Sequence, residues 1–104
     1  MKNVEAVLSV KFNSTHNFEE LMGICEEDLE IFRKVPGLLQ KYYIIEEFTG
    51  AISCIYIFDS KISRASFWAS ELAKNIPIRY RIIPDTLRVE QYDMAIVLND
   101  VMLA

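Results

Sequence analysis

The chain is poor in the residues from which metal sites and covalent frameworks are built. Its 104 residues include one histidine, two cysteines, three glycines and three prolines. Cys25 and Cys54 stand apart within apolar segments and form no CxxC pair, so the sequence predicts neither a zinc site nor a disulfide framework. We interpret both as buried free thiols of a cytosolic protein.

Basic charge is scarce as well. Eleven lysines and arginines stand against fifteen acidic residues, which gives a net charge of −4. The one local basic cluster, Arg79 with Arg81, is interleaved with apolar residues, whereas binding to a phosphate backbone requires clustered basic side chains. The acidic stretch from Glu26 to Glu30, which includes Asp28, is interpreted as the solvated face of a helix. We therefore expect no nucleic-acid partner and no metal.

Long hydrophobic runs are also missing. No run reaches the roughly 20 apolar residues that a membrane-spanning helix requires. Glu5 and Lys11 interrupt the first apolar segment, so the N-terminus lacks the hydrophobic region of a signal peptide. We expect a soluble, cytoplasmic protein with no membrane partner, and a chain of this length predicts a single domain over residues 1–104.

Apolar residues as a class are nevertheless abundant, at 52 % of the chain. A domain of this size has little interior, so part of this material is expected to cover the surface of a partner. A second copy of the chain is the simplest such partner.

The hydrophobic periodicity predicts six elements in the order β-α-β-β-α-β. Residues 4–12 alternate with a period of two, which is typical of a strand with one buried face. Asn17 and Glu20 form the signature of a capping box at the start of a helix that ends at Pro36-Gly37. The other predicted elements are strands over 38–47 and 51–58, a helix over about 60–74 capped by Asp59, an extended connector or short edge strand over 78–83, and a strand over 85–95.

This order is that of a split βαβ fold, and right-handed crossovers place both helices on one face of an antiparallel sheet. The sequence therefore predicts an α+β, ferredoxin-like domain. Strands 38–47 and 51–58 carry apolar residues on both faces, as strands between two layers do. Together with the apolar tail over 96–104, the uncovered face predicts a homodimer whose two sheets face each other in a barrel.

Several segments of the chain carry a resemblance to a known family. They are Val35-Pro36-Gly37-Leu38-Leu39, Lys41, Gly50, Ile55-Tyr56-Ile57-Phe58-Asp59, Leu87-Arg88-Val89 and Tyr92-Asp93. These segments resemble the YdhR-like proposed monooxygenases of the dimeric α/β-barrel superfamily, which also holds the antibiotic-biosynthesis monooxygenases. The resemblance implies a dimeric barrel that oxygenates a small aromatic or apolar substrate, with no cofactor, neither a bound metal nor flavin. A non-enzymatic ligand-binding or regulatory module is the alternative function.

Haem-degrading relatives in that superfamily use an asparagine on the first strand, a tryptophan on the second helix and a histidine beyond it. Trp68 matches the tryptophan, whereas Asn13 comes only at the end of the first strand. No histidine follows His16, so the proximal haem ligand of that pattern is missing. We therefore expect no haem.

The candidate catalytic residues are Trp68, His16 and Tyr56. Trp68 lies on the inner stripe predicted for the second helix, where it is either a packing residue or the wall of an apolar pocket whose indole N–H orients a ligand. His16 lies in the loop before the first helix and is either an exposed loop residue or a general base at the pocket mouth. Tyr56 is one of the strand tyrosines whose hydroxyl groups need partners when buried.

The candidate ligand-binding residues are Tyr43, Tyr92, Arg88 and Phe67. Adjacent Tyr42 and Tyr43 must point to opposite sheet faces, one towards the helices and one towards the dimer barrel. Arg88 is suited to hold a carboxylate or enolate, or to pair with a glutamate across the strands. Phe67 falls off the predicted helical stripe, which suits contact with a partner or a lid. Lys41 is expected to extend to solvent.

Overall fold

A computed structural model describes residues 6–96 and places them in a four-stranded antiparallel sheet with a helical layer on one face. The α+β, ferredoxin-like class and the β-α-β-β-α-β order are confirmed. The elements are β1 (Ala6–Phe12), α1 (Phe18–Arg33), β2 (Leu38–Ile45), β3 (Ile52–Phe58), α2 (Lys61–Trp68), α3 (Glu71–Lys74), α4 (Ile76–Arg79) and β4 (Arg88–Asp93), with a 3-10 turn over Pro84–Thr86.

The sheet has the strand order β2-β3-β1-β4, so β1 and β3 occupy its centre. The alternation of β1 is confirmed, because its burial alternates residue by residue between buried and half-buried side chains. The strand β3 shows the same pattern. The inner residues of both strands are at most 3 % exposed: Ala6, Leu8, Val10, Phe12, Ile52, Cys54, Tyr56 and Phe58.

The helix α1 begins as its sequence predicts. The Asn17 side chain accepts a hydrogen bond from the Glu20 backbone N–H at 2.8 Å, and the Glu20 carboxylate accepts one from the Asn17 N–H at 3.1 Å. This reciprocal capping box satisfies two of the amides that a helix N-terminus leaves without partners. The chain then turns into β2 at Gly37, whose φ of +77° suits a residue without a Cβ.

The second predicted helix differs from the structure in its cap, its length and its buried face. Ser60, not Asp59, is the N-cap, and the helix stops at Trp68 before Ser70 caps the short α3. Arg64 and Phe67 face the interior, one residue away from the predicted stripe. The difference arises because Arg64 donates from Nη1 to the Tyr92 carbonyl at 2.8 Å, so a charged residue occupies a face that hydrophobicity alone would not select.

The segment predicted as an extended connector is partly helical, which corrects the sequence interpretation. Residues Ile76–Arg79 form α4, with Pro77 in its first turn, where the missing N–H of proline costs no hydrogen bond. Arg81 then takes a φ of +47°, and Ile82 forms a bridge to Ser14. This path directs the Tyr80 side chain into the core, where it is fully buried.

The last predicted strand is shorter than expected and runs over Arg88–Asp93. The apolar tail that we assigned to the dimer lies almost wholly outside the described residues, since only Ile96 belongs to them. The two-faced character of β2 and β3 leaves apolar side chains half-exposed on the sheet face away from the helices. We call this surface, defined by Val7, Tyr42, Ile44, Ile55 and Ile57, the open sheet face.

Candidate functional site

An aromatic cluster fills the space between the helices and the sheet. The Phe67 ring lies 5.0 Å from the Tyr56 ring and 5.7 Å from the Phe58 ring, measured between centroids. Phe32 of α1 lies 5.8 Å from Tyr56 and 6.1 Å from Phe67 in edge-on geometry. All four residues are almost completely buried. Phe67 is therefore part of the core of this chain, not the partner or lid contact that the sequence suggested.

Lys41 points into this cluster instead of towards solvent, so the sequence interpretation of its side chain is wrong. Its Nζ lies 3.1 Å from the centre of the Phe32 ring and within 4.4 Å of the ring centres of Tyr43 and Tyr56. The reason is the register of β2, in which Lys41 stands opposite Tyr56 on the inner face. The atom is buried and has no hydrogen-bond partner among residues 6–96.

The surroundings of Lys41 change its acid–base behaviour. Burial lowers the pKa of the amine to about 7, because the charged form loses its hydration. The thiols of Cys54 and Cys25 and the Asp28 carboxylate oppose this change only in part. Burial in turn raises the pKa of Cys25 to about 11 and that of Cys54 to about 12.

A second polar group, centred on Asp28, links α1 to α4 and β2. Its carboxylate accepts hydrogen bonds from Arg79 Nη2 at 2.9 Å, from Arg79 Nε at 3.2 Å and from the Tyr80 hydroxyl at 3.1 Å. The Tyr80 hydroxyl also lies 3.1 Å from that of Tyr43. Burial raises the pKa of both tyrosines. The group thus forms one continuous chain from an exposed guanidinium to the inner face of the sheet.

The placement of Asp28 corrects its assignment to a solvated helix face, because the residue is 5 % exposed. A signal for this was present in the sequence. Asp28 lies three residues after Cys25 and four before Phe32, so it shares the apolar stripe of α1. Its charge led us to place it with the exposed glutamates beside it.

The Tyr56 hydroxyl is also buried without a hydrogen-bond partner in the described part of the chain. Burial raises its pKa well above the ordinary value of tyrosine. Two polar groups on the inner face of the sheet, the amine of Lys41 and this hydroxyl, are therefore unsatisfied. Buried polar atoms of this kind are rare in folded proteins, so they mark an interior able to accept a polar group of a ligand.

Three concave spaces open on this interior, and each is named here by its place. The interhelical cleft, of about 330 Å³, lies between α1 and α3–α4. The α2 groove, of about 360 Å³, adjoins it and shares Ile31 and Leu72. The β2 cavity, of about 180 Å³, lies between the end of α1 and β2. Phe32 lines both the interhelical cleft and the β2 cavity, and Phe67 lines the α2 groove.

The interhelical cleft combines apolar walls with one polar end. Phe32, Leu72 and Ile76 form walls, while Asp28, Arg79 and Tyr80 supply the polar groups. An aromatic molecule fits between such walls, and the polar end offers hydrogen-bonding groups to an oxygen on that molecule.

The structure brings together only some of the candidate site residues. Tyr43, Tyr56 and Phe67 all lie on the helix-facing side of the sheet, and Tyr42 lies on the other side, as the alternation predicts. Trp68 is half-buried and packs against the core from the end of α2, but it lines none of the three spaces described above.

The remaining candidates lie elsewhere. His16 is 15 % exposed, with Nδ1 4.0 Å from a Glu20 carboxylate oxygen at the start of α1. Arg88 stands opposite Lys11, and Tyr92 stands opposite Val7, so both belong to the open sheet face. The sheet therefore separates Arg88 and Tyr92 from Tyr43 and Tyr56, which lie on its helix-facing side.

Neither a metal cluster nor a membrane helix is found between residues 6 and 96. No three histidine, cysteine, aspartate or glutamate side chains in that range are grouped closely enough to hold a metal ion. No helix of the same range is long and apolar enough to cross a bilayer.

Comparison with known proteins relates the fold to solved structures. No protein-family model and no curated protein sequence matches the chain. A monooxygenase from the ActVA-Orf6 gene of Streptomyces coelicolor, solved with the ligand nanaomycin D, is similar with a TM-score of 0.68 at 16 % identity; the match covers 94 % of each chain. SnoaB, a cofactor-independent oxygenase from Streptomyces nogalater solved as a mutant, has a TM-score of 0.66 at 11 % identity, over 92 % of this chain and 96 % of that one.

A third similar structure is a protein of unknown function, NE2512 from Nitrosomonas europaea. Its TM-score is 0.73 at 10 % identity, over 100 % of this chain and 99 % of that one. At these identities the likeness establishes the fold alone. The chain has the ferredoxin-like α+β fold that antibiotic-biosynthesis-monooxygenase-like proteins share.

Proposed function

We propose that the protein binds a small aromatic molecule in the interhelical cleft and oxygenates it with dioxygen, without a bound metal or flavin. The observation that carries this proposal is the cleft itself, which has apolar walls and the Asp28–Arg79–Tyr80 group at one end. The similar structures include oxygenases of the same fold, one of them solved with the ligand nanaomycin D, which supports the reaction class. The residues quoted for the YdhR-like resemblance favour that subfamily within the fold.

A phenol is the substrate class that this arrangement suits. Its ring lies between Phe32 and Leu72, and its oxygen meets the Arg79 guanidinium, which stabilises the phenolate after its proton leaves for solvent at the open mouth. The phenolate gives an electron to dioxygen, and the two radicals combine at the ring carbon opposite the hydroxyl. One oxygen atom stays on that carbon and the other leaves as water, so the phenol becomes a quinone.

The candidate catalytic residues Tyr56, Trp68 and His16 do not line the interhelical cleft, so the proposal gives them no contact with the substrate. Tyr56 has a buried hydroxyl without a partner among residues 6–96, and Trp68 packs against the core from the end of α2. His16 belongs to the loop that Ser14 joins to the Tyr80 carbonyl, so it stands near the start of the segment that carries Tyr80. Its role as a base remains a prediction, as does the cytoplasmic location.

Oxygen uptake with a panel of phenols, naphthols and hydroquinones tests the proposal. We expect uptake by the wild-type protein and a raised melting temperature with the same compounds. Leu72→Trp, which fills the cleft, abolishes both, whereas Ile78→Trp, at a residue of α4 that is 77 % exposed and outside the cleft, abolishes neither. A protein that shows neither uptake nor a shift with any compound contradicts the proposal.

A non-enzymatic ligand-binding module is the second candidate function. It is favoured because the Asp28 carboxylate already accepts hydrogen bonds from Arg79 and Tyr80. A melting-temperature shift without uptake supports it.

We also propose that the protein forms a homodimer through the open sheet face. Val7, Ile55 and Ile57 are half-buried there, and Ile44 is 52 % exposed. No helix of residues 6–96 covers these side chains, and association of two copies removes them from water.

A further inference from the structure

The β2 cavity is distinct from the interhelical cleft, because Phe32 is the one residue that their linings share. Its walls are mainly apolar, formed by Leu29, Leu38 and Leu39 together with Phe32. Lys41 also lines it. The proposed oxygenase reaction makes no use of this cavity or of the Lys41 amine.

Among residues 6–96, the amine of Lys41 lacks the hydrogen-bond acceptors that a buried lysine usually has. Its Nζ is covered by the faces of Phe32, Tyr43 and Tyr56. It has no hydrogen-bond partner among the described residues, and no carboxylate of that range lies within ion-pair distance of it. A primary amine in such surroundings is free to react when its charge is removed.

Several ionisable groups face this amine from the elements packed against it. Cys25 and Asp28 lie on α1, Cys54 and Tyr56 on β3, and Tyr43 on β2. Their combined influence is smaller than that of burial, which lowers the pKa of Lys41 to about 7. Burial therefore favours the uncharged, nucleophilic amine at neutral pH, whereas a surface lysine is almost wholly protonated.

Arg33 also lines the β2 cavity, but it cannot form an ion pair with Lys41, because both side chains are cations when protonated. Its Nε pairs with the Glu30 carboxylate at 3.1 Å on the exposed side of α1. Its positive charge disfavours a cationic ligand in the cavity and leaves neutral or anionic molecules as occupants.

We propose that Lys41 forms an imine with a small aldehyde or ketone that enters the β2 cavity, in which the apolar body of the compound packs against Leu29, Phe32 and Leu38. The nitrogen lone pair attacks the carbonyl carbon, and a C–N bond forms. After proton transfer from the nitrogen to the oxygen, the carbonyl oxygen leaves as water. One carbonyl compound and one amine thus give one imine and one water molecule, with no oxidant or reductant.

The geometry of the side chain allows this reaction. The Lys41 residue lines the cavity although its Nζ lies under the aromatic rings, and four rotatable bonds connect that atom to the backbone. Phe32, whose ring contacts the amine, also lines the cavity, so the proposal requires rotation about the outer bonds to bring the nitrogen past that ring to the bound carbonyl. The β2 strand has a register irregularity between Leu38 and Gln40, directly before this position, which alters the local course of the strand beside the cavity.

Reductive trapping of the folded, full-length protein with benzaldehyde and cyanoborohydride at neutral pH tests the proposal. Peptide mass spectrometry is expected to find the benzyl group on Lys41 at least about tenfold more than on the exposed lysines Lys34, Lys61 and Lys74. In guanidinium chloride the preference disappears, because the amine returns to the ordinary pKa of lysine.

Two variants decide whether the cavity is needed. Leu38→Trp fills it and is expected to suppress labelling of Lys41 while the exposed lysines react as before. Ile62→Trp, at a residue of α2 that is 80 % exposed and outside the cavity, leaves the labelling unchanged. Labelling of Lys41 that is no faster than that of Lys61, or that survives Leu38→Trp, overturns the proposal. The experiment runs without oxygen, so its failure leaves the oxygenase proposal untouched.

Discussion

Asp28 shows how a single buried charge organises the interior of this protein. The carboxylate is 5 % exposed, yet its oxygens accept hydrogen bonds from three donor groups, Nε and Nη2 of Arg79 and the hydroxyl of Tyr80. A buried carboxylate without such donors is costly, and with them it fixes the positions of the groups that it contacts. The side chain therefore sets where the helix α4 lies relative to α1.

Replacing this carboxylate tests that role. Asp28→Asn is expected to lower the free energy of unfolding by roughly 2–3 kcal/mol, because the Arg79 guanidinium and the Tyr80 hydroxyl lose a charged acceptor. Urea unfolding followed by circular dichroism measures the change. Glu27→Gln is the matched control, since Glu27 contacts the same Arg79 Nη2 at 3.1 Å but is 69 % exposed. A change above about 0.5 kcal/mol in this control contradicts the account.

Lys41 is expected to destabilise the protein at neutral pH, since folding must remove a charge that water solvates. Lys41→Met should raise the free energy of unfolding by roughly 2–4 kcal/mol at pH 7. Lys74→Met, at an exposed residue paired with Glu71, should change it by less than about 0.5 kcal/mol. A Lys41→Met variant no more stable than the wild type shows that the amine is solvated in solution.

The pH dependence of stability gives an independent check. The folded-state pKa of Lys41 is about 7, below the 10.5 of the unfolded chain, so the unfolded state binds more protons in this window. Stability of the wild type therefore rises with pH, by roughly 1–2 kcal/mol between pH 7 and 8.5. Lys41→Met removes this rise. Above that window the raised pKa values of Cys25 and Cys54 act with the opposite sign, because the unfolded state loses protons first.

At the scale of the elements, the connection from α1 to β2 depends on one glycine. Gly37 has a φ of +77°, and a Cβ there would overlap the Ser63 side chain at the start of α2. Gly50 has a φ of +72° with open space around it, and Gly23 lies inside α1, also in open space. Gly37 is thus required both by its backbone conformation and by the lack of space, Gly50 is required by its conformation alone, and Gly23 is required by neither.

Alanine at each glycine should give three different outcomes in urea unfolding. Gly37→Ala combines a strained φ with a clash and should cost about 3 kcal/mol or more. Gly50→Ala should cost about 1 kcal/mol, from the left-handed backbone alone. Gly23→Ala should stabilise the helix by roughly 0.5–1 kcal/mol, because alanine loses less conformational freedom on folding. Equal costs at Gly37 and Gly50 contradict the clash with Ser63.

The elements whose signals are local follow from the sequence. The alternation of β1 and the capping box of α1 depend on neighbouring residues, and the structure confirms both. The face of α2 does not follow, because Arg64 is drawn inwards by the Tyr92 carbonyl, 28 residues away. α4 was missed because Pro77 indicates an extended chain in isolation, whereas in a first helical turn it costs nothing.

The candidate site was only partly predictable. The sequence singled out Tyr43, Tyr56 and Phe67, whose side chains pack on the helix-facing side of the sheet, but none of the three lines the interhelical cleft. It missed Lys41 and Asp28, because a charged side chain is expected at the surface as long as the strand register and the helix packing are unknown. The sheet register then decides the matter, because it puts Lys41 opposite the buried Tyr56 and puts Arg88 opposite Lys11 on the other face.

At the scale of the whole molecule, the open sheet face determines the proposed assembly. Sedimentation equilibrium at micromolar concentration should give twice the chain mass of 12.1 kDa. Ile55→Lys places a charge at the centre of that face, opposite Tyr42, and should yield monomers. Ile62→Lys, on the helical side where Ile62 is 80 % exposed, should leave the dimer intact. A wild-type monomer under these conditions contradicts the dimer.

The strand order has a consequence for how the chain acquires this structure during synthesis. β1 is made early, but its neighbours are β3, which begins at Ile52, and β4, which begins at Arg88. Two of the three strand pairings, β1 with β3 and β1 with β4, therefore join segments distant in sequence, and such pairings form slowly because long loops must close first. A nascent chain that ends before Arg88 leaves β1 as an edge strand with an unpaired row of amides and carbonyls, the kind of edge on which incomplete chains aggregate.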